Sequence, residues 1–308
     1  MYIENTIFKR NESKSGGAIY VSLNNDGKNN FHKMTLNNCV FENNKASYFG
    51  GAIFTENVVK FKADLINSSF KYNKAGIAGG AVFTTGLSRD ISIVNTTKEN
   101  NTGGYYGDNN ASYPLLIYLE NNNKYSKGIS ITSGSTLSLL FELRDIFNQT
   151  INRNEEYFSS LQLKAELIDD DDNNSGEIIN NDNQSQTYIL KNNDGYFFNG
   201  YCLLNDLQII SNPKHYKLHF HIENDIYNLK FLTNDIPIEV TNCNEKQIIK
   251  LYKNNINYCE KPICKEKYIN GECLPIQNSS YIYQESYCKC FDGFNNTSCN
   301  SKIYEISS

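Results

Sequence analysis

Residues 16–20 read Gly16-Gly17-Ala18-Ile19-Tyr20, residues 50–54 read Gly50-Gly51-Ala52-Ile53-Phe54, and residues 79–83 read Gly79-Gly80-Ala81-Val82-Phe83. The shared pattern GGA[IV][YF] recurs after 34 and then 29 residues, a period that belongs to stacked-repeat architectures. Upstream of each copy stands a second matched motif, N-x-x-F-x-x-N: Asn5, Phe8 and Asn11; Asn38, Phe41 and Asn44; Asn67, Phe70 and Asn73. A decayed fourth copy is expected from Asn95 to Asn101, with Lys98 in the Phe position and Gly103-Gly104 following. The intervening segments are short, β-branched and aromatic, so each unit predicts one coil of a parallel β-solenoid rather than a helical repeat.

Stacked coils bring like residues together at the inter-strand spacing of about 4.8 Å. Phe8, Phe41 and Phe70 are therefore expected as an interior aromatic column, with Tyr20, Phe54 and Phe83 as a second column on whichever face the pleat dictates. Asn11, Asn44 and Asn73 should form an amide ladder at a turn, where side-chain amides satisfy backbone groups that no strand reaches. Gly17, Gly51 and Gly80 supply the tight turns. Cys39 aligns with Thr6, Ser68 and Thr96, and reads as a packed free thiol in a column of small residues.

Beyond residue 110 the apolar period falls to two. Leu137 to Leu143, Leu161 to Leu167, Tyr216 to Ile222, Tyr227 to Phe231 and Ile236 to Val240 alternate with polar neighbours and predict half-buried strands. Asp194-Gly195 supplies a hairpin signal. About seven strands over residues 111–242 predict an immunoglobulin-like β-sandwich. The acidic run from Asp169 to Asp172 lacks the Gly and terminal Glu of an EF-hand loop and reads as a solvated loop.

Cys243, Cys259, Cys264, Cys273, Cys288, Cys290 and Cys299 crowd into the last fifth of the chain, leaving Cys39 and Cys202 elsewhere. Such density without an apolar core predicts a disulfide-held module over residues 243–308 and an oxidising compartment. Six cysteines allow 15 pairings from sequence alone. Zinc is disfavoured, since the module has neither a C-x2-C pair nor a His.

The chain has 308 residues, of which 47 are Asn and none is Trp, and its formal charge is -5. At roughly 100 to 200 residues per domain, that length predicts two or three domains. With 29 basic against 34 acidic residues there is no basic stripe, which argues against a nucleic-acid partner. No apolar run approaches the ~18 residues of a membrane-spanning helix. No nucleophile elbow, P-loop, H-E-x-x-H or dinucleotide-binding glycine pattern occurs. His219 and His221 would share one strand face, without an evident third metal ligand. No cofactor or metal is expected. Eleven N-x-[ST] sequons occur, of which Asn148, Asn173, Asn183 and Asn278 stand in expected loops, whereas Asn67 and Asn95 stand in the repeat column and look too confined for glycosylation.

Two resemblances add to this reading. The linked GGA[IV] and F-x-x-N motifs resemble the repeats of chlamydial polymorphic outer-membrane proteins and of similar right-handed β-helix repeat proteins in eukaryotes, over about the first third of the chain. That likeness implies an extended surface passenger implicated in adhesion. The chain departs from the chlamydial pattern in having no alternating membrane-barrel segments and in ending on a cysteine module. The stretch from Ser133-Gly134 through Phe141 to Asp145 and Asn148 resembles the opening of sandwich domains that follow such β-helices in eukaryotic surface proteins.

The segment Cys288-x-Cys290-Phe-Asp-Gly293-Phe294-x4-Cys299 resembles the close of EGF-like domains. That resemblance implies Cys259 with Cys273, Cys264 with Cys288 and Cys290 with Cys299, leaving Cys243 spare and a bond to Cys202 open. The residues before Cys259 lack the acidic pair of a calcium-binding EGF module. Together these features predict an all-β chain: a right-handed parallel β-helix (1–110), an immunoglobulin-like β-sandwich (111–242) and an EGF-like module (243–308). The expected role is non-enzymatic recognition or adhesion toward a protein or glycan ligand, extracellular or at a cell surface. The expectation extends to a fragment of a receptor or adhesin ectodomain, held to the membrane only through a segment absent from this chain. The rival expectation is the remnant of a carbohydrate-active β-helix enzyme, a polysaccharide lyase or hydrolase.

Overall fold

The computed structural model describes residues 1–22, 32–56, 61–85, 91–152, 161–169, 188–233, 235–252, 256–263, 270–276, 286–296 and 299–303. Residues 1–112 build a β-solenoid of four rungs. The first rung consists of β1 (Tyr2–Glu4), β2 (Ile7–Lys9), β3 (Glu12–Ser13) and β4 (Ile19–Ser22), and the second of β5 (His32–Asn37), β6 (Val40–Glu42), β7 (Lys45–Ala46) and β8 (Ile53–Glu56). The third has β9 (Phe61–Ile66), β10 (Ser69–Lys71), β11 (Lys74–Ala75) and β12 (Val82–Thr84), and the fourth β13 (Ile91–Val94), β14 (Thr97–Glu99), β15 (Thr102–Gly103) and β16 (Asn110–Ser112). Each strand pairs in parallel with its counterpart on the next rung, giving four parallel sheets.

The register stacks like on like. Phe8 lies opposite Phe41, Phe41 opposite Phe70 and Phe70 opposite Lys98. The rings stack face to face at centroid separations of 4.7 and 4.6 Å. Phe41 and Phe70 are fully buried, which contributes about 2–3 kcal/mol each from apolar area alone. The fourth rung ends the column with a cation, since Lys98 Nζ sits 5.8 Å over the Phe70 ring and also donates to Asn110 Oδ1. Burial lowers the Lys98 pKa to about 8.

Three corners of each coil need left-handed backbone. Asn5, Asn38, Asn67 and Asn95 take φ of 46 to 51° at the first corner, and Gly16, Gly50, Gly79 and Gly107 take 65 to 71° at the third. The first Asn of the motif is thus a turn former, because Asn tolerates this region better than other side chains. At the second corner Arg10, Asn43, Tyr72 and Asn100 take φ of 52 to 57°. Gly17, Gly51 and Gly80 are required for a different reason: a Cβ would come within 2.1–2.2 Å of a carbonyl oxygen on the next rung.

The amide ladder follows the second corner. Asn11, Asn44 and Asn73 each donate Nδ2 to the Oδ1 of the next asparagine, at 2.8, 2.9 and 2.9 Å. Asn101 takes Asn73 as donor and in turn gives its Nδ2 to Asn109 Oδ1 (2.9 Å), so the ladder is closed within the chain at the fourth rung. Cys39 is a buried free thiol in its small-residue column, its backbone N–H donating to Ser68 Oγ.

Two features of the fourth rung differ from expectation. Gly103 pairs with Ala75 on the short β15, so Gly103-Gly104 is not the repeat's glycine pair. The counterpart of GGAV is Gly107-Asp108-Asn109-Asn110, with Ala111 opposite Phe83. The terminal rung has no further coil to pack against, and polar residues replace the apolar ones there. Tyr20, Phe54 and Phe83 do stack, but the column grades from exposed Tyr20 to fully buried Phe83. Phe49 and Tyr113 close over its far end.

Residues 114–241 form two five-stranded sheets, β21-β23-β19-β17-β25 and β18-β26-β24-β20-β22, across a common core. The strands are β17 (Pro114–Leu119), β18 (Ile129–Thr132), β19 (Thr136–Asp145), β20 (Gln162–Asp169), β21 (Tyr188–Lys191), β22 (Asp194–Tyr196), β23 (Tyr201–Ser211), β24 (Lys214–Glu223), β25 (Lys230–Phe231) and β26 (Asp235–Thr241). The alternating residues face inward, and Phe141 of one sheet meets Phe220 of the other edge to face at 4.9 Å. The parallel pairs β17–β25 and β18–β26 depart from the purely antiparallel sheets of the immunoglobulin-like pattern.

Asp194-Gly195 is not a hairpin turn. Gly195 lies in β22 opposite Leu163, and the chain crosses between the sheets at Asn192 and Asn193. The absent Cβ leaves room for Cys202 Sγ, 3.0 Å from where it would stand. Tyr227 to Phe231 is strand only at Lys230–Phe231, because Asp225 draws the Tyr227 and Leu229 N–H groups into a turn. Asp169 is paired with Lys214, while residues 170–172 of the acidic run lie outside the described residues.

The C-terminal segment contributes three two-stranded antiparallel hairpins: β27 (Ile248–Leu251) with β28 (Asn257–Glu260), β29 (Gly271–Pro275) with β30 (Ser286–Cys290), and β31 (Phe294–Asn295) with β32 (Ser301–Lys302). No helix among the described residues is long and apolar enough to cross a membrane.

Candidate functional site

A hydrogen-bonded feature of the surface lies where the solenoid meets the two sheets. Asp145, at the end of β19, is wholly buried and holds the junction. Its Oδ1 accepts from the Phe147 and Gln149 N–H groups at 2.9 and 3.0 Å, and its Oδ2 from the Ser112 N–H and Gln149 Nε2 at 3.2 and 3.1 Å. Ser112 Oγ returns the contact by accepting from Ile146 N–H at 3.1 Å. Burial raises the Asp145 pKa to about 6 against the opposing effect of these donors.

This staple folds residues 145–149 beside the turn that closes the fourth rung. The result is an open groove lined by Tyr105 to Asn110, Phe147 and Gln149. Its polar wall is fixed in advance: Asp108 Oδ1 accepts from Gly103 N–H, the Tyr106 hydroxyl donates to Ser112 O, and Gln149 Nε2 donates to Asn110 O. Tyr105 is largely exposed on one side, and Phe147 is half-buried on the other. Two aromatic faces over a floor of amides and a carboxylate suit hydroxyl-rich or peptide ligands. Sequence reading missed this groove, whose two walls are separated along the chain; the tyrosine pair and the polar run after it were the only local signal.

The histidines offer less. His219 and His221 do project from one face, with ring centroids 6.3 Å apart. Each faces a carboxylate on a neighbouring strand, His219 Nδ1 at 2.7 Å from Asp235 Oδ1 and His221 Nε2 at 3.8 Å from Glu166 Oε1. Among the described residues no group of three or more His, Cys, Asp or Glu is placed to hold a metal ion.

The cysteine pairing agrees with the EGF pattern at Cys290–Cys299 and departs from it at Cys259 and Cys288. Cys243 bonds Cys259 and Cys290 bonds Cys299. Cys259 therefore does not pair with Cys273, which is itself disulfide-bonded. Cys264 lies outside the described residues, and its expected partner Cys288 carries a free thiol. Nor does Cys243 reach Cys202, which is a buried free thiol inside β23 whose pKa burial pushes up to about 12. The reason is docking. Cys259 N–H donates to Ser133 O and Ser133 Oγ to Asn257 O, both at 2.8 Å, so β28 is fastened to the sheets beside the end of β26.

Among the expected glycosylation sites, Asn148 is exposed, at φ 62° next to the groove, whereas Asn173, Asn183 and Asn278 lie outside the described residues. Asn67 and Asn95 are exposed at the first corner rather than confined, because the turn directs that column to solvent.

No curated protein and no solved structure matches the chain. Residues 5–22 and 38–56, the bulk of the first two rungs, match the family model of the Chlamydia polymorphic membrane protein repeat, and the solenoid that they begin makes this a β-helix repeat protein.

Proposed function

We propose that this chain is a non-enzymatic recognition module, displayed outside the cell or at its surface, that binds a protein or glycan ligand in an adhesive or receptor-like role. The observation that carries the reading is the preformed groove between Tyr105 and Phe147, whose hydrogen-bonded wall requires little ordering on binding. A surface location is supported by the likeness of the first two rungs to polymorphic membrane protein repeats and by the disulfides, which persist in oxidising compartments. On the same reading the two-sheet unit is an immunoglobulin-like spacer, the last cysteines form an EGF-like close, and Asn148 carries a glycan at the groove's rim.

The test is a binding screen of the secreted protein on immobilised glycans and on intact cells, with Tyr105→Ala beside a Tyr2→Ala control on the far rung. A loss of at least tenfold for Tyr105→Ala alone supports the groove. Equal binding by both variants, or no binding to any surface, refutes it. Release of reducing ends from polysaccharides by the purified chain would overturn the non-enzymatic reading.

A further inference from the structure

Strand periodicity sets up a choice of disulfide partner in the last hairpins. Cys288 and Cys290 are two residues apart on β30, so both side chains leave the same face of the strand. Both reach Cys299: Cys290 is bonded to it, and the free Cys288 Sγ lies 3.0 Å from the same Cys299 sulfur. The three sulfurs fit because Gly271 lies against them. A Cβ there would stand 2.6 Å from Cys299 Sγ and 3.0 Å from Cys288 Sγ. Cys299 is buried whereas Cys288 is partly accessible, so solvent can take the proton from the attacking thiol.

We infer that Cys288, Cys290 and Cys299 form an internal thiol–disulfide switch in which Cys288 and Cys290 compete for Cys299. The Cys288 thiolate attacks Cys299 Sγ, the Cys288–Cys299 bond forms as the Cys290–Cys299 bond breaks, and Cys290 leaves as thiolate and takes up a proton. One disulfide and one thiol stand on each side, so no outside oxidant or reductant is needed. The exchange passes the bond to Cys299 from Cys290 to Cys288, two residues away on the same face of β30, while the three sulfurs stay within one cluster.

Lys289 lies between the competing cysteines, so trypsin places them in separate peptides. The native protein is held at pH 8, quenched with acid, alkylated and digested without reduction, then mapped by mass spectrometry. Both pairings are expected, Cys288–Cys299 as a link between the peptide ending at Lys289 and residues 290–302, and Cys290–Cys299 as a loop within residues 290–302, each with the other cysteine alkylated. Cys290→Ser should give Cys288–Cys299 alone, and Cys288→Ser should give Cys290–Cys299 alone. A single pairing in the wild type, Cys288 joined to any other cysteine, or an alkylated Cys299 in Cys290→Ser would each overturn the switch.

Discussion

Replacing Asn73 with Ala tests the amide ladder where it is most buried. The side chain accepts from Asn44 N–H (3.0 Å) and Asn44 Nδ2 (2.9 Å), and donates to Phe41 O (3.0 Å) and Asn101 Oδ1 (2.9 Å). At about 0.5–1.5 kcal/mol net per bond, four bonds amount to ~2–6 kcal/mol. The upper half of that range is expected, because truncation leaves the Asn44 N–H and the Phe41 carbonyl buried without these partners. Asn11 occupies the same ladder on the first rung, yet its side chain contributes one partly buried bond, to Asn44 Oδ1, while its backbone N–H keeps the same acceptor after truncation. Asn11→Ala should therefore cost about 1 kcal/mol. Asn73→Asp keeps the shape but aims a carboxylate oxygen at two acceptors, and should be worse than Ala. Urea unfolding followed by circular dichroism reads all three. A cost below about 1 kcal/mol for Asn73→Ala, or equal costs at Asn11 and Asn73, would refute the ladder as a source of stability.

Phe41→Ala should destabilise by about 3–5 kcal/mol, since the ring is fully buried between two others; a change under 1 kcal/mol in the same assay would mean that the column is not packed. Lys98→Phe should raise the unfolding midpoint by extending that column, and should also promote self-association by removing the charge that guards the last rung, a shift that light scattering would detect. Asp145, with its pKa raised to about 6 by burial, favours the protonated form in the folded chain. Its contribution is thus greatest below about pH 4 and is lost as pH rises through 6, a swing of roughly 2–3 kcal/mol. Asp145→Asn should abolish that slope in pH-dependent urea melts, and an unchanged slope would assign it to other groups.

The rungs were legible because stacking forces like residues into columns: Phe8, Phe41 and Phe70, or Asn11, Asn44 and Asn73, announce their alignment whatever the loops between them do. The fourth rung was half hidden for the converse reason. A terminal coil needs polar cover, so Gly107-Asp108-Asn109-Asn110 keeps the backbone of the repeat while losing its letters. Strand alternation located the two sheets but not their edges, since period two places a residue in or out without naming its neighbour. The cysteine pairing depended on Ser133 fastening β28 to the sheets, a contact that no spacing between cysteines encodes. The groove was hidden in the same way, because it exists only once Asp145 has folded residues 145–149 against the closing turn.

The outward rings of the solenoid are not a separate layer. Phe49, Phe54 and Phe83 belong to the same buried cluster as Phe141 and Phe220, and Tyr113 bridges the two by meeting Phe83 at 5.2 Å and Tyr227 at 5.8 Å. In mechanical terms the junction is a weld rather than a hinge. Tension applied across the junction is carried by interdigitated rings and the Asp145 bonds together, so the two units should yield in one event under load. A ligand seated at the weld would then feel the orientation of the solenoid and the sheets together rather than that of a loosely pivoting unit.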